Sequence, residues 1–185
     1  EQIEGAETKH LVVVDRWDPT KPKAEHWTLV TLDGRAPTAN EAAQHRTESA
    51  SRRVAYYGRV ADYFAAAPVA SQDAKGRTLF SFPRFPEGAL MIGKSDLSSS
   101  ASGEATVDAS GPVPFLELVR FTLKKPVRLK LVAKIERMDA WTRYRMMPNG
   151  KPAPVEQASD MSGSMLGHEG RVRTTISYTD LRAAR

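Results

Sequence analysis

The sequence predicts an α+β fold: a curved, mostly antiparallel sheet, an incomplete barrel, with two or more helices covering its concave apolar face. Three observations carry this. From Val127 the chain alternates, with Val127, Leu129, Leu131, Ala133 and Ile135 on one side and Arg128, Lys130, Lys134 and Glu136 on the other; Val132 is the one apolar exception. Strand side chains alternate faces, so a period of two means one buried face and one wet face. That is the signature of an antiparallel sheet covered on one side. Second, strand-like segments follow one another without helices between them, which excludes a doubly wound α/β fold. Third, helix signals are confined to two stretches, one after Thr38 and one near residues 57–67.

Taken in order, residues 1–9 are polar and are expected to fray. His10 to Trp17 reads as a strand with apolar residues on both faces. Asp18-Pro19-Thr20-Lys21-Pro22 breaks it, because proline fixes φ and donates no hydrogen bond. His26 to Leu32 is a second strand, ended by the turn signal Asp33-Gly34. Thr38-Ala39-Asn40-Glu41 is a capping box that opens a helix of about 12–15 residues. A second helix, roughly Tyr57 to Ala67, places Tyr57, Val60, Ala61 and Phe64 at helical spacing and stops at Pro68.

Strands are then expected at Arg77 to Phe82 and at residues 104–109, the latter after a Ser-rich loop. Leu90-Met91-Ile92 is a short apolar piece. Phe115 to Leu123 is a strand, or a short helix entering one, followed by the long strand from Val127. Trp141 to Met147 alternates again and is expected to pair with its neighbour as a hairpin. Pro148-Asn149-Gly150-Lys151-Pro152 is the tightest turn signal in the chain. Ala153 to Glu156 and Ser159 to Leu166 continue the meander, and Arg171 to Tyr178 is the final strand. No repeat and no linker divides the chain, so residues 1–185 read as one domain.

Composition narrows the function classes. The chain has 27 Lys and Arg against 22 Asp and Glu, a net charge of +5, and no cysteine. The charge favours acidic partners such as phospholipid headgroups, nucleic acid or acidic proteins, unless it is simply a mildly basic surface. The absence of cysteine excludes disulfides, thiolate metal sites and a Cys nucleophile within these residues. No apolar run approaches the roughly 18 residues of a membrane-spanning helix. The chain starts at Glu1 without a leader sequence, as a mature or trimmed form would.

Catalytic signatures are missing. There is no G-x-S-x-G, S-x-x-K, H-E-x-x-H, P-loop or G-x-G-x-x-G, and the four histidines show no i, i+4 pairing. Asp15 and Asp18 flank Trp17; they can hold a cation or be solvated or paired with Arg16. Glu117 is expected to pair with Arg120. No general acid–base pair, cofactor or metal site emerges, so the chain reads as non-enzymatic. Lys124, Lys125, Arg128, Lys130 and Lys134 form a basic sheet face, with Arg143, Arg145, Arg171 and Arg173 on other strands. No aromatic is interleaved around Arg128, so this face reads as solvated or drawn to anionic lipid rather than as a nucleic-acid platform. Met161 and Met165 lie in the Ser/Gly-rich segment Ser159 to His168, which is either core filler or a flap.

The segment Trp17-Asp18-Pro19-Thr20-Lys21-Pro22, followed by His26-Trp27-Thr28-Leu29-Val30-Thr31-Leu32-Asp33-Gly34-Arg35-Ala36-Pro37-Thr38, resembles one in uncharacterised exported proteins of Gram-negative bacteria. The order of elements over residues 10–180 resembles that of the LolA/LolB-like superfamily of lipoprotein carriers. The resemblance implies a periplasmic carrier with an incomplete barrel and helices over an apolar interior, and no cofactor. A cavity of this kind would be lined by Tyr57, Val60 and Phe64 on the helix side. Leu129, Leu131, Ile135, Met146 and Ile176 would line it on the sheet, unless the same residues close a dry core. The implied partner is a lipid, an acyl chain or a lipoprotein. The alternative is a periplasmic interaction module that binds an envelope protein through a sheet edge or the basic face.

Overall fold

The computed structural model describes residues 2–4, 7–50, 57–65, 68–92, 95–129 and 133–182. In chain order the elements are β1 (Gln2–Glu4), β2 (Glu7–Lys9), β3 (Val13–Trp17), β4 (Trp27–Leu32), α1 (Ala39–Ser49), β5 (Val69–Gln72), β6 (Thr78–Phe82), β7 (Met91–Ile92) and β8 (Ser95–Asp96). They continue with β9 (Ala101–Asp108), β10 (Phe115–Leu123), β11 (Val127–Leu129), β12 (Ala133–Met146), β13 (Pro152–Met165) and β14 (His168–Ser177). Contacts group the chain into two compact units, one of Glu1–Thr8 with Ala55–Asp180, the other of Lys9–Val54 with Leu181–Arg185.

The smaller unit is a hairpin and a helix. β3 pairs antiparallel with β4, from Val13↔Leu32 to Trp17↔Trp27, with a bulge between Val14 and Asp15. The Asp33-Gly34 turn has φ of 50° and 78°, which a two-residue hairpin-type turn requires. The capping box forms: the Glu41 amide donates to Thr38 Oγ1 at 3.3 Å and the Thr38 amide donates to Glu41 Oε2 at 2.8 Å. Arg35 adds two hydrogen bonds to the same carboxylate, at 2.6 and 2.9 Å. The helix is 11 residues long, slightly shorter than expected.

The larger unit is built on a ten-stranded sheet in the order β2-β1-β14-β13-β12-β10-β9-β6-β5, with β11 paired to β12 outside that path. The paired strands whose registers are defined all run antiparallel. The sheet-rich, antiparallel class is therefore as expected. Four details differ. Instead of fraying, the first residues add two short strands, β1 lying against β14. Strand β9 begins at Ala101, inside the stretch expected to be a loop.

The long strand expected from Val127 is a hairpin. Val127 faces Ile135 and Leu129 faces Ala133, while Arg128 faces Lys134. Folding the segment back in this register keeps the apolar residues on one face and the cations on the other, so the alternation reads the same as in one strand. No turn then separates residues 133–140 from Trp141: β12 runs unbroken for 14 residues, and its hairpin partner is β13.

The second helix expected at residues 57–67 is a 3₁₀ helix over Tyr57–Ala65, which leaves α1 as the single α-helix among the described residues. Its spacing explains the difference. Tyr57, Val60 and Tyr63 recur every third residue, and side chains three apart eclipse along one face of a helix with three residues per turn. These three join the sheet's core, whereas Ala61, assigned to the buried face from an α-helical period, is exposed.

The core has two clusters. One joins Val60, Phe82, Phe85, Ala101, Ala105, Leu116, Val119, Phe121 and Tyr144, with Tyr57 and Tyr63 at its margin. Tyr63 meets Phe121 and Phe85 edge-on, with ring centroids 5.1 and 5.6 Å apart. Phe85 lies over Gly103, so close that a Cβ there would collide with its ring. The second cluster joins Leu97, Leu123, Ile135 and Met138, flanked by Val127, Leu129 and Met161.

Candidate binding surfaces

The sheet presents two chemically different faces. On the apolar face, one row of cross-strand neighbours runs Phe80, Ala105, Val119, Thr142, Gln157 and Ile176; another runs Phe82, Gly103, Phe121, Ala140, Ser159 and Thr174. A third includes Met138, Met161 and Val172. Cover by packed side chains is complete over β9 and β10 and runs out over β14, where Val172 is 36% exposed and Ile176 is 38% exposed.

Polar groups sit at this margin. The Gln157 amide donates to Thr142 Oγ1 at 3.0 Å, and the Tyr178 hydroxyl donates to the Gln157 side-chain oxygen. Nearby, Tyr57 meets Tyr144 edge-on at 5.2 Å and its hydroxyl accepts the Leu116 amide at 2.8 Å. Burial pushes the Tyr144 hydroxyl well above its ordinary value.

Of the expected cavity residues, Tyr57 and Val60 belong to the first cluster, and Leu129 and Ile135 to the second. Met146 is partly buried at the end of β12, and Ile176 is the half-exposed margin residue. Leu131 and Lys130 lie outside the described residues, as does the side chain of Phe64. Sequence reasoning missed Tyr63, Phe85 and Phe121, the rings that fill the space beneath the 3₁₀ helix. Three-residue spacing was the available signal for Tyr63. Phe85 carried none, because it projects from a loop.

The segment carrying Met161 and Met165 continues the meander as strand. It is part of β13, hydrogen-bonded to β12 on one side and β14 on the other. Met161 flanks the second cluster, and Met165 is 61% exposed beside the Leu166-Gly167 turn.

The opposite face is charged, and several of its cations are paired with acids. Arg120 is paired in bidentate fashion with Asp139, and Arg171 with Asp160, which Arg173 also approaches at 3.4 Å. Arg143 contacts Glu156 at 3.0 Å, and Lys134 contacts Glu136 at 2.8 Å. The Arg120 and Arg171 guanidinium groups hold the Asp139 and Asp160 carboxyls below their ordinary value. Arg128 is exposed on β11. Glu117, expected to meet Arg120, instead lies 3.4 Å from Arg77. Arg120 is taken instead by Asp139, its diagonal neighbour across the β10–β12 pairing.

Amid these charges lies Trp141. Its cross-strand neighbours are Arg120 and Ala158, and beyond Ala158 stands Thr175. These small residues leave an open cleft of about 460 Å³ over the sheet. In the smaller unit, His45 Nε2 on α1 lies 2.8 Å from Asp15 Oδ1. Among the described residues no cluster of three or more His, Asp or Glu could hold a metal ion, and no helix is long and apolar enough to cross a membrane. Comparison with family models, curated proteins and solved structures found no match to this chain.

Proposed function

We propose that the protein is a non-enzymatic carrier of the bacterial periplasm that holds a lipid, an acyl chain or the acyl chains of a lipoprotein against the apolar face of its sheet. The expected incomplete barrel does not fit the open strand order from β2 to β5, so in this reading the ligand lies on the sheet's apolar face, with the 3₁₀ helix as the lid. One observation carries it: the apolar face continues past its packed cover. Met161, Val172 and Ile176 prolong the core onto half-exposed strands, beside the polar group of Thr142, Gln157 and Tyr178. Such a margin suits an amphiphile, whose chain gains about 0.8 kcal/mol per buried CH₂ while its head keeps hydrogen-bond partners.

Native mass spectrometry of protein purified from bacterial cells, with lipid extraction and titration of a fluorescent acyl probe, tests this. A co-purifying lipid and probe uptake that is lost in Val172→Glu/Ile176→Glu, with the melting curve retained, is the expected result. Both substitutions are at half-exposed positions, so folding should survive them. An apo mass without probe uptake, or uptake unchanged in the variant, overturns the reading.

A second reading is an interaction module that pairs a strand of an envelope protein with the sheet edge. It is favoured by β5, a terminal strand whose four residues Val69, Ala70, Ser71 and Gln72 are exposed and uncharged.

A further inference from the structure

We infer that the Trp141 cleft is a second binding site, on the face opposite the proposed apolar site, and that its ligand is a neutral oligosaccharide. An indole in the middle of a charged sheet face has no core to fill there. Its row on the sheet reads Glu104, Arg120, Trp141, Ala158 and Thr175. Ala158 and Thr175 are the low side of the cleft, and the ion pairs Arg120–Asp139 and Arg173–Asp160 stand along it. Its volume of about 460 Å³ falls in the small-molecule range of roughly 300–1,000 Å³.

The charge arrangement selects the ligand class. Of the lining arginines, Arg120 and Arg143 are matched by Asp139 and Glu156, and Arg173 shares Asp160 with Arg171. A phosphate or carboxylate would have to displace a protein carboxylate from an arginine and leave that carboxylate without its partner. A neutral polyol needs no such exchange. Guanidinium N–H groups donate, carboxylate oxygens accept, and a hydroxyl does both, so a sugar can bridge the pairs without separating them. The apolar C–H face of a pyranose suits the indole, which is flat, amphipathic and carried on a strand in the middle of the sheet. The Arg143 guanidinium lies 5.2 Å from the indole centroid, and a stacking ring takes its place. Arg143 is about half exposed and keeps Glu156 at 3.0 Å, so it turns aside at little cost.

The test titrates the full chain with cellotriose, maltotriose and triacetylchitotriose, and separately with inorganic phosphate, by calorimetry and saturation-transfer NMR. Saturable binding of at least one trisaccharide is expected, little changed between about 20 mM and about 500 mM NaCl because the ligand is uncharged. Trp141→Ala removes the platform, and Ala158→Tyr fills the cleft while leaving Trp141 in place. Each should weaken binding about tenfold or more, as loss of a central aromatic anchor does. The second variant preserves the test if the first does not fold. Absence of saturation by all three sugars up to about 10 mM overturns the inference. So does binding that survives the folded variants, or binding of phosphate alone.

Discussion

Gly103→Ala should destabilise the larger unit, and the structure says through which atoms. Gly103 lies on β9 directly beneath Phe85, and its backbone is not in the left-handed region, so the substitution tests space and not conformation. The new Cβ would stand 3.1 Å from the Arg120 carbonyl oxygen and 3.2 Å from Phe85 Cε1, and closer still to Phe85 Cζ. The carbonyl belongs to β10 and is fixed by strand pairing, so the ring must retreat by about 1 Å. It has little room. Phe85 stacks on Phe82 at 6.0 Å, tilts against Phe121 at 5.5 Å and receives the edge of Tyr63 at 5.6 Å.

Overpacking of this kind costs about 1–3 kcal/mol. At about 2–4 °C per kcal/mol for a chain of this size, a 2 kcal/mol loss, as an estimate, lowers Tm by about 4–8 °C. Urea unfolding followed by circular dichroism measures it, with equal m-values showing that stability alone has changed. A double-mutant cycle isolates the contact. Phe85→Leu lacks Cζ and Cε1, so Gly103→Ala should cost less in that background by at least about 1 kcal/mol. Additivity within about 0.3 kcal/mol, or a neutral Gly103→Ala, would refute the packing argument.

Three further outcomes follow from titrating groups and caps. Thr38→Ala should cost α1 about 1 kcal/mol, read as lost ellipticity at 222 nm or a lowered melting temperature. In the parent, Arg35 and then the Thr38 amide hold the Glu41 carboxyl down to about 2 from 4.5, so its support of the helix is intact above pH 4.5 and is lost as pH falls towards 2. An acid titration of helicity should show that window, and Glu41→Gln should remove it. At the alkaline end, burial raises the Tyr144 hydroxyl above its ordinary value of 10, so the unfolded chain ionises first and stability falls as pH rises past 10. Tyr144→Phe should flatten that decline in chemical denaturation; an unchanged slope would show that Tyr144 is not held neutral.

The sequence by itself determined the local grammar. The capping box at Thr38, the Asp33-Gly34 turn and the period-two strands all depend on neighbours within a few residues, and each appears in the structure. For residues 127–129 and 133–135 the alternation from Val127 matches the apolar and charged faces, but it could not distinguish one strand from a hairpin, because a fold-back in register preserves side-chain parity. Residues 57–65 had apolar side chains at spacings compatible with two helix types. Packing against the sheet selected the one that aligns Tyr57, Val60 and Tyr63.

The candidate surfaces depended on tertiary structure. Arg143, Arg171 and Arg173 looked like part of a basic face because their partners, Glu156 and Asp160, lie 11 to 13 residues away and meet them only across strands. Trp141 did carry a signal, standing in phase with Arg143 and Arg145 on one strand, but the cleft beside it exists only because β13 brings Ala158 opposite and β14 adds Thr175. Side-chain periodicity is local and can be read along the chain. Charge pairing and concavity are set by strand register, which brings together residues that no short window contains.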